Sequence, residues 1–337
     1  MKNRKQGKQS FTFAQSPVIT HWASVAGKKE ADGPLGSTFD VTGADPYWGQ
    51  KSWEQGEKQM QQLALQTLAE KAKIPTKNID VVFSGDLLNQ CIGSSFSLRN
   101  TGIPHIGLYG ACSTMAESLL TASMAVGGGF FDRAVAMTSS HFASSERQYR
   151  FPLGYGGQRT PTAQWTVTGC GAAMICKDGQ GPKINACTVG TVTDLGIKDA
   201  ANMGAAMAPA AMETICAHFD DMHLADSDYD LIVTGDLGNI GQQALLALMQ
   251  TKGLNIGDRL TDCGQLIFDQ AEQDTHAGGS GCGCSAVILC GHLLNKLKAG
   301  QLKRILFCGT GALLSPTSTQ QGLPIPGICH AVSIEGG

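Results

Sequence analysis

The stretch Ile79-Asp80-Val81-Val82-Phe83-Ser84-Gly85-Asp86-Leu87-Leu88-Asn89 returns 150 positions later, without a gap, as Tyr229-Asp230-Leu231-Ile232-Val233-Thr234-Gly235-Asp236-Leu237-Gly238-Asn239. Each copy is a short apolar run closed by Gly-Asp, the pattern of a buried strand ending in a turn. A second pair follows in the same order. Gly110-Ala111-Cys112-Ser113-Thr114-Met115, a helical stretch, then Arg133-Ala134-Val135-Ala136-Met137 matches Gly281-Cys282-Gly283-Cys284-Ser285-Ala286, a helical stretch, then Arg304-Ile305-Leu306-Phe307-Cys308. Two matches in one order point to an internal duplication. Duplicated strand–helix units with buried strands imply an α/β fold with mainly parallel pairing. The two halves are read as residues 1–182 and 183–337.

Around these repeats the pattern is simpler. Residues 1–9 read as a frayed basic tail, 13–22 as a strand and 28–53 as a long ordered loop. A helix is expected over 54–73, stopped by Pro75. Buried strands are expected over 79–84 and 133–138. The turn Gly110-Ala111-Cys112-Ser113 joins an apolar run to a helical pattern. A cysteine there lies near the first backbone N–H groups of the helix. Those donors and the helix dipole favour a thiolate, or the carboxylate of a ligand. A small buried cysteine is the competing reading.

Composition narrows the function. The 337 residues carry a net charge of −3 and offer no basic patch for nucleic acid. No apolar run is long enough to span a bilayer, and residues 1–10 lack the apolar core of a signal peptide. The expectation is a soluble, intracellular protein whose 12 cysteines stay reduced. Cys282-Gly283-Cys284 fits no common zinc spacing, and no Gly-Lys-Ser/Thr follows Gly278-Gly279-Ser280-Gly281. No metal or cofactor is expected.

A duplicated α/β chain with a Gly-Ala-Cys-Ser helix start in its first half resembles the thiolase-like superfamily. Within it, several segments resemble the stage V sporulation protein AD family: Asp32-Gly33-Pro34-Leu35-Gly36, Gly85-Asp86-Leu87-Leu88-Asn89-Gln90, Gly110-Ala111-Cys112-Ser113-Thr114, Thr138-Ser139-Ser140-His141, Pro161-Thr162-Ala163-Gln164, Ala206-Met207-Ala208-Pro209-Ala210-Ala211 and Ala277-Gly278-Gly279-Ser280-Gly281-Cys282. The resemblance implies a duplicated thiolase-like fold, layered α-β-α-β-α, and a homodimer. It also implies binding of dipicolinic acid, pyridine-2,6-dicarboxylate, as part of the machinery that moves this acid into the spore. Other stage V sporulation A membrane proteins would be its partners, holding it peripherally at the forespore or spore inner membrane. The alternative is a ketoacyl-synthase-like acyltransferase with Cys112 as nucleophile. Condensing enzymes resembling this fold carry a catalytic His just after the strand matching Leu231–Val233, where this chain reads Thr234-Gly235-Asp236-Leu237, and an Asn where it has Gly278-Gly279-Ser280-Gly281. His276 and His330 are the nearest substitutes in sequence.

The ligand-binding candidates follow. Cys112 stands at the helix start. His141 sits at a strand end, where it can donate to a carboxylate. Asp86 and Asn89 follow the first repeat strand. The recurrence of Asp86 at Asp236 favours a turn-holding role in both halves, while Asp86 is kept as a candidate to orient His141 or meet a ligand nitrogen. Arg147, Arg150 and Arg159 offer planar partners for carboxylates. Phe142, Tyr149 or Tyr155 can stack on a pyridine ring.

Overall fold

The computed structural model describes residues 4–149 and 159–337. Its strands are β1 (Arg4–Gln6), β2 (Ser10–Thr12), β3 (Val18–Gly27), β4 (Val41–Gly43), β5 (Val81–Gly85), β6 (His105–Gly107), β7 (Arg133–Ser140), β8 (Trp165–Thr166), β9 (Gly169–Cys176), β10 (Lys183–Thr188), β11 (Leu231–Thr234), β12 (Leu260–Asp262), β13 (Gly279–Ser280), β14 (Arg304–Ala312) and β15 (Gly327–Glu335). The α-helices are α1 (Lys28–Ala31), α2 (Trp53–Ala72), α3 (Ile92–Leu98), α4 (Thr114–Gly127), α5 (Phe142–Tyr149), α6 (Met203–Met222), α7 (Gly238–Thr251), α8 (Cys263–Leu266), α9 (Cys282–Ile288), α10 (Leu294–Lys298) and α11 (Pro316–Gln320).

The strands follow one path, β12-β11-β14-β15-β10-β3-β9-β7-β5-β6. Read outward from its middle, each side repeats the same arrangement: β3-β9-β7-β5-β6 and β10-β15-β14-β11-β12. The duplication is therefore a duplication of topology. Pairing is parallel among β5, β6 and β7 and among β11, β12 and β14. It is antiparallel where β9 and β15 return. The expected mainly parallel sheet is corrected to a mixed one, because β9 and β15 run back along the strands that precede them.

Helices cover this path in three layers. α2 packs on β3, β9 and β7, and α6 packs on β14 and β15. Between them, α4 touches strands of both halves and α9 lies against β7 and β9. Each layer has its own apolar core: Met60, Leu68 and Val135 under α2; Met207, Ile215 and Leu245 around α6 and α7; Met115, Leu119, Val287 and Phe307 in the centre. Every residue of α9 is buried. Its small residues, cysteines included, allow that closeness.

Two expectations change. The strand placed at 13–22 begins at Val18 and runs to Gly27. The tail is not frayed from Arg4 onward. β1 pairs with β2, β2 pairs with β10, and the Asp221 carboxylate accepts the Lys8, Gln9 and Ser10 N–H groups at 2.9–3.0 Å.

Candidate functional site

The Cys112 turn is held by its own side chains. Ser113 Oγ donates to the Gly110 carbonyl at 2.7 Å, and Thr114 Oγ1 donates to that of Ala111 at 2.6 Å. Ala111 has a φ of 51°, an uncommon left-handed conformation for a residue with a Cβ. The turn lies directly on β14, where a Cβ on Gly311 would come within 2.5 Å of the Gly110 oxygen. Sequence and topology thus build a sharp strand-to-helix elbow with Cys112 at its apex.

The chemistry at that apex differs from the expectation. Ser113 and Thr114 spend their N–H groups on the Gly110 and Ala111 carbonyls. The buried Asp236 carboxylate stands close enough to the thiol to act on it electrostatically. Burial, and then the Asp236 charge, push the thiol's pKa well above the usual cysteine range. The thiol form is favoured, so the expected bias toward a thiolate is corrected.

Asp236 is wholly buried. Its Oδ2 accepts Gly281 N–H at 2.8 Å and its Oδ1 accepts Thr310 Oγ1 at 2.9 Å. Burial outweighs these bonds and raises its pKa to about 7. Sequence reasoning gave Asp236 a turn-holding role. Its local string, which matches the one around Asp86, carried no signal of this second set of contacts.

Beside Cys112 lies a cavity of about 40 Å³, lined by Leu87, Tyr109, Ser145, Tyr149, Thr166 and Ser280 among others. That is room for a few water molecules. Tyr149 O–H donates to the Leu87 carbonyl and Tyr109 O–H to Tyr149, both at 2.6 Å. The two phenols are linked along the cavity wall. Ser145 Oγ is buried with no hydrogen-bond partner among the described residues.

The other candidates lie elsewhere. Asp86 accepts Leu88 N–H, Ser94 N–H and Ser94 Oγ–H at 2.7–3.0 Å, and so holds its own turn. Asn89 is exposed, and its backbone N–H donates to Gln148 Oε1. His141 donates from Nε2 to the Pro46 carbonyl at 2.7 Å and accepts Ala143 N–H at Nδ1. Burial lowers its pKa. Its donor is committed, which corrects the view of His141 as a free donor to a ligand. It faces a separate groove of about 730 Å³ with Trp48, Phe142 and Trp165. Phe142 stacks on Trp165 at 3.8 Å, while Lys29 and Arg159 lie 4.3 and 4.7 Å from the indole centroid. Arg147 pairs with Glu54 and lies over Trp53. Neither Arg147 nor Arg159 lines the Cys112 cavity, and Arg150 and Tyr155 lie outside the described residues. His330 accepts Gly190 N–H and burial drops its pKa to about 4. His276 lies 3.3 Å from Asp274. Neither histidine lines the cavity.

A family model described as Stage V sporulation protein AD matches residues 7–335. The chain belongs to that family. It is 45% identical to the Stage V sporulation protein AD of Bacillus subtilis (strain 168) over 329 residues, 98% of this chain and 97% of the relative. Among solved structures, it resembles 3-oxoacyl-[acyl-carrier-protein] synthase III from Aquifex aeolicus VF5, with a TM-score of 0.57 at 12% identity, covering 95% of this chain and 100% of that one. Human mitochondrial 3-ketoacyl-CoA thiolase in complex with CoA gives 0.58 at 14%, covering 97% and 99%. The family's fold here is therefore thiolase-like. At these identities the likeness concerns the fold alone.

Proposed function

We propose that this chain binds dipicolinic acid for the spore uptake machinery, in the cavity beside Cys112, and that Cys112 performs no chemistry. The observation that carries this reading is the Cys112–Asp236 pair. Acyl transfer needs a thiolate, a base to form it and donors for the developing oxyanion. Here burial and the neighbouring Asp236 charge disfavour the thiolate. The strained elbow favours the other reading, a thiolase-like acyltransferase, since it presents a side chain at a turn apex.

The cavity is smaller than the ligand, so entry requires Tyr109 and Tyr149 to part. No described cation lines it, and a carboxyl stands behind the thiol. Such a wall favours a protonated acid over a dianion. Binding then takes up a proton and tightens as pH falls. Calorimetry with dipicolinate at pH 6 and pH 8, beside intact mass after incubation with acyl thioesters, tests the proposal. Heat of binding that grows at the lower pH, with no mass gain, supports it. An acyl adduct with no dipicolinate heat makes the acyltransferase reading the right one.

We further propose a homodimer. The edge strand β6 is open, and Ile92, Phe96 and Ile106 beside it are 39–47% exposed. A second copy added across this edge would cover them. The other stage V sporulation A membrane proteins remain the proposed membrane partners. Among the described residues, no helix is long and apolar enough to cross a membrane.

A further inference from the structure

The first hairpin and the end of α4 form one surface that the ligand cavity does not use. Arg4, Lys5 and Lys8 are exposed on β1 and the turn after it. They border a groove of about 440 Å³ floored by Phe11, Phe13, Met124 and Val189. Met124 is 50% exposed and Val189 41%. In the antiparallel pair, Lys5 stands directly opposite Phe11. An ammonium group and an aromatic ring therefore share one face of the hairpin.

Phe130 extends this face. α4 closes with Gly129 at a φ of 78°, Gly129 N–H on the Val126 carbonyl and Phe130 N–H on that of Ala125. This is the two-bond closure in which an apolar residue at the Phe130 position ordinarily folds back on the helix. Phe130 instead remains 79% exposed. Its ring lies beside Gly128, and the Phe13 ring of the groove lies against the neighbouring Gly127. The nearby Asp221 carboxylate is engaged with three backbone N–H groups of the hairpin. It offers Arg4, Lys5 and Lys8 no side-chain partner among the described contacts.

We propose that this face docks directly on an anionic lipid bilayer, with Arg4, Lys5 and Lys8 at the headgroup phosphates and Phe130 in the interfacial region. Charge complementarity selects this occupant. Cations around a projecting aromatic match a surface that is negative outside and apolar beneath. The proposal is independent of the ligand reading and adds a lipid contact to any protein partner.

Co-sedimentation of the full chain with vesicles tests it. One set is phosphatidylcholine alone, and the other is an equimolar mix with phosphatidylglycerol. Binding is expected only to the anionic set and weakens with added salt. The double variant Lys5→Gln/Lys8→Gln should lose roughly 25-fold, at about fivefold per charge. Phe130→Ser should lose about tenfold or more. All three side chains are exposed, so thermal melting should be unchanged and the variants remain folded. Absence of binding to anionic vesicles overturns the proposal and leaves the face to an acidic protein segment. Equal binding to both vesicle sets overturns it, as does binding indifferent to both variants.

Discussion

Asp86 and Asp236 close the same strand–turn string in the two halves, yet they face different tasks. Asp86 turns back on its own loop and accepts from Leu88 and Ser94. Asp236 reaches out to Gly281 and Thr310 and stands beside the Cys112 thiol. The neighbouring strand decides which. In the second half, β12 ends in Asp262, in register with Thr234. Its carboxylate takes Thr234 Oγ1–H and the N–H groups of Leu237 and Gly238 at 2.7–3.0 Å. The turn after β11 is thereby held, and Asp236 is released toward the centre. In the first half, the equivalent register places Gly107 opposite Ser84. A glycine supplies no acceptor, so Asp86 holds the turn itself. Duplication supplied two carboxylates, and a residue on the adjacent strand freed one of them.

The largest effect should come from removing the turn-holding carboxylate. Asp86→Ala strands the buried N–H groups of Leu88 and Ser94 without acceptors. A loss of about 3–5 kcal/mol is expected, read by urea unfolding. Asp262→Ala should cost a similar amount. If Asp86→Ala were nearly neutral while Asp262→Ala were severe, the two turns would not be equivalent.

Asp236→Asn should change the pH dependence of stability more than stability itself. The folded pKa of about 7 lies above the ordinary aspartate value of about 3.9. The folded state therefore keeps a proton that the unfolded chain has lost. Stability falls as pH rises from about 4 to about 7 and then levels. The asparagine removes this term, at most about 4 kcal/mol. Glu30 and Glu57, raised by burial to about 7 and about 8, still contribute. The slope between pH 5 and pH 6.5 should thus shrink by about one proton without vanishing. An unchanged slope would mean that Asp236 is ionised in the fold.

How much of this was legible follows from where the partners lie. The repeat strands and the Cys112 elbow were readable because each is a local pattern repeated in order, while the antiparallel return of β9 and β15 was not. The roles of Asp86 and Asp236 were not, since their local strings agree and the deciding residue, Asp262, lies on another strand. The partner of His141 was not legible because its donor meets the carbonyl of Pro46, 95 residues away. Residues 4–9 looked like a free tail because Asp221 and β10 hold them from the far half of the chain. In each case the missing information was a long-range partner for a polar group.

Ser145→Ala probes the cavity itself. Its Oγ has no partner among the described residues, so the variant should be as stable as the parent or slightly more so. A ligand carboxyl in the cavity gives that hydroxyl its bond, so the alanine should weaken dipicolinate by roughly 2- to 10-fold. Unchanged affinity, with binding otherwise intact, would move the ligand out of this cavity and toward the groove beside His141.

The smallest effect belongs to the residue that drew most attention. Cys112→Ser keeps the size of the side chain and leaves a hydroxyl able to donate to Asp236. The elbow is fixed by Ser113, Thr114 and the Gly311 contact, none of which is altered. Dipicolinate affinity should therefore change less than about threefold, within the effect of one neutral hydrogen bond. The same geometry makes a kinetic statement about the thiol. A raised pKa and 6% exposure should leave Cys112 slow to alkylate beside the half-buried Cys176 and Cys216. Peptide mapping after brief iodoacetamide treatment reads this directly. Rapid labelling of Cys112, slowed by no change at Asp236, would show that burial and the Asp236 charge do not disfavour the thiolate and would return the elbow to the acyltransferase reading.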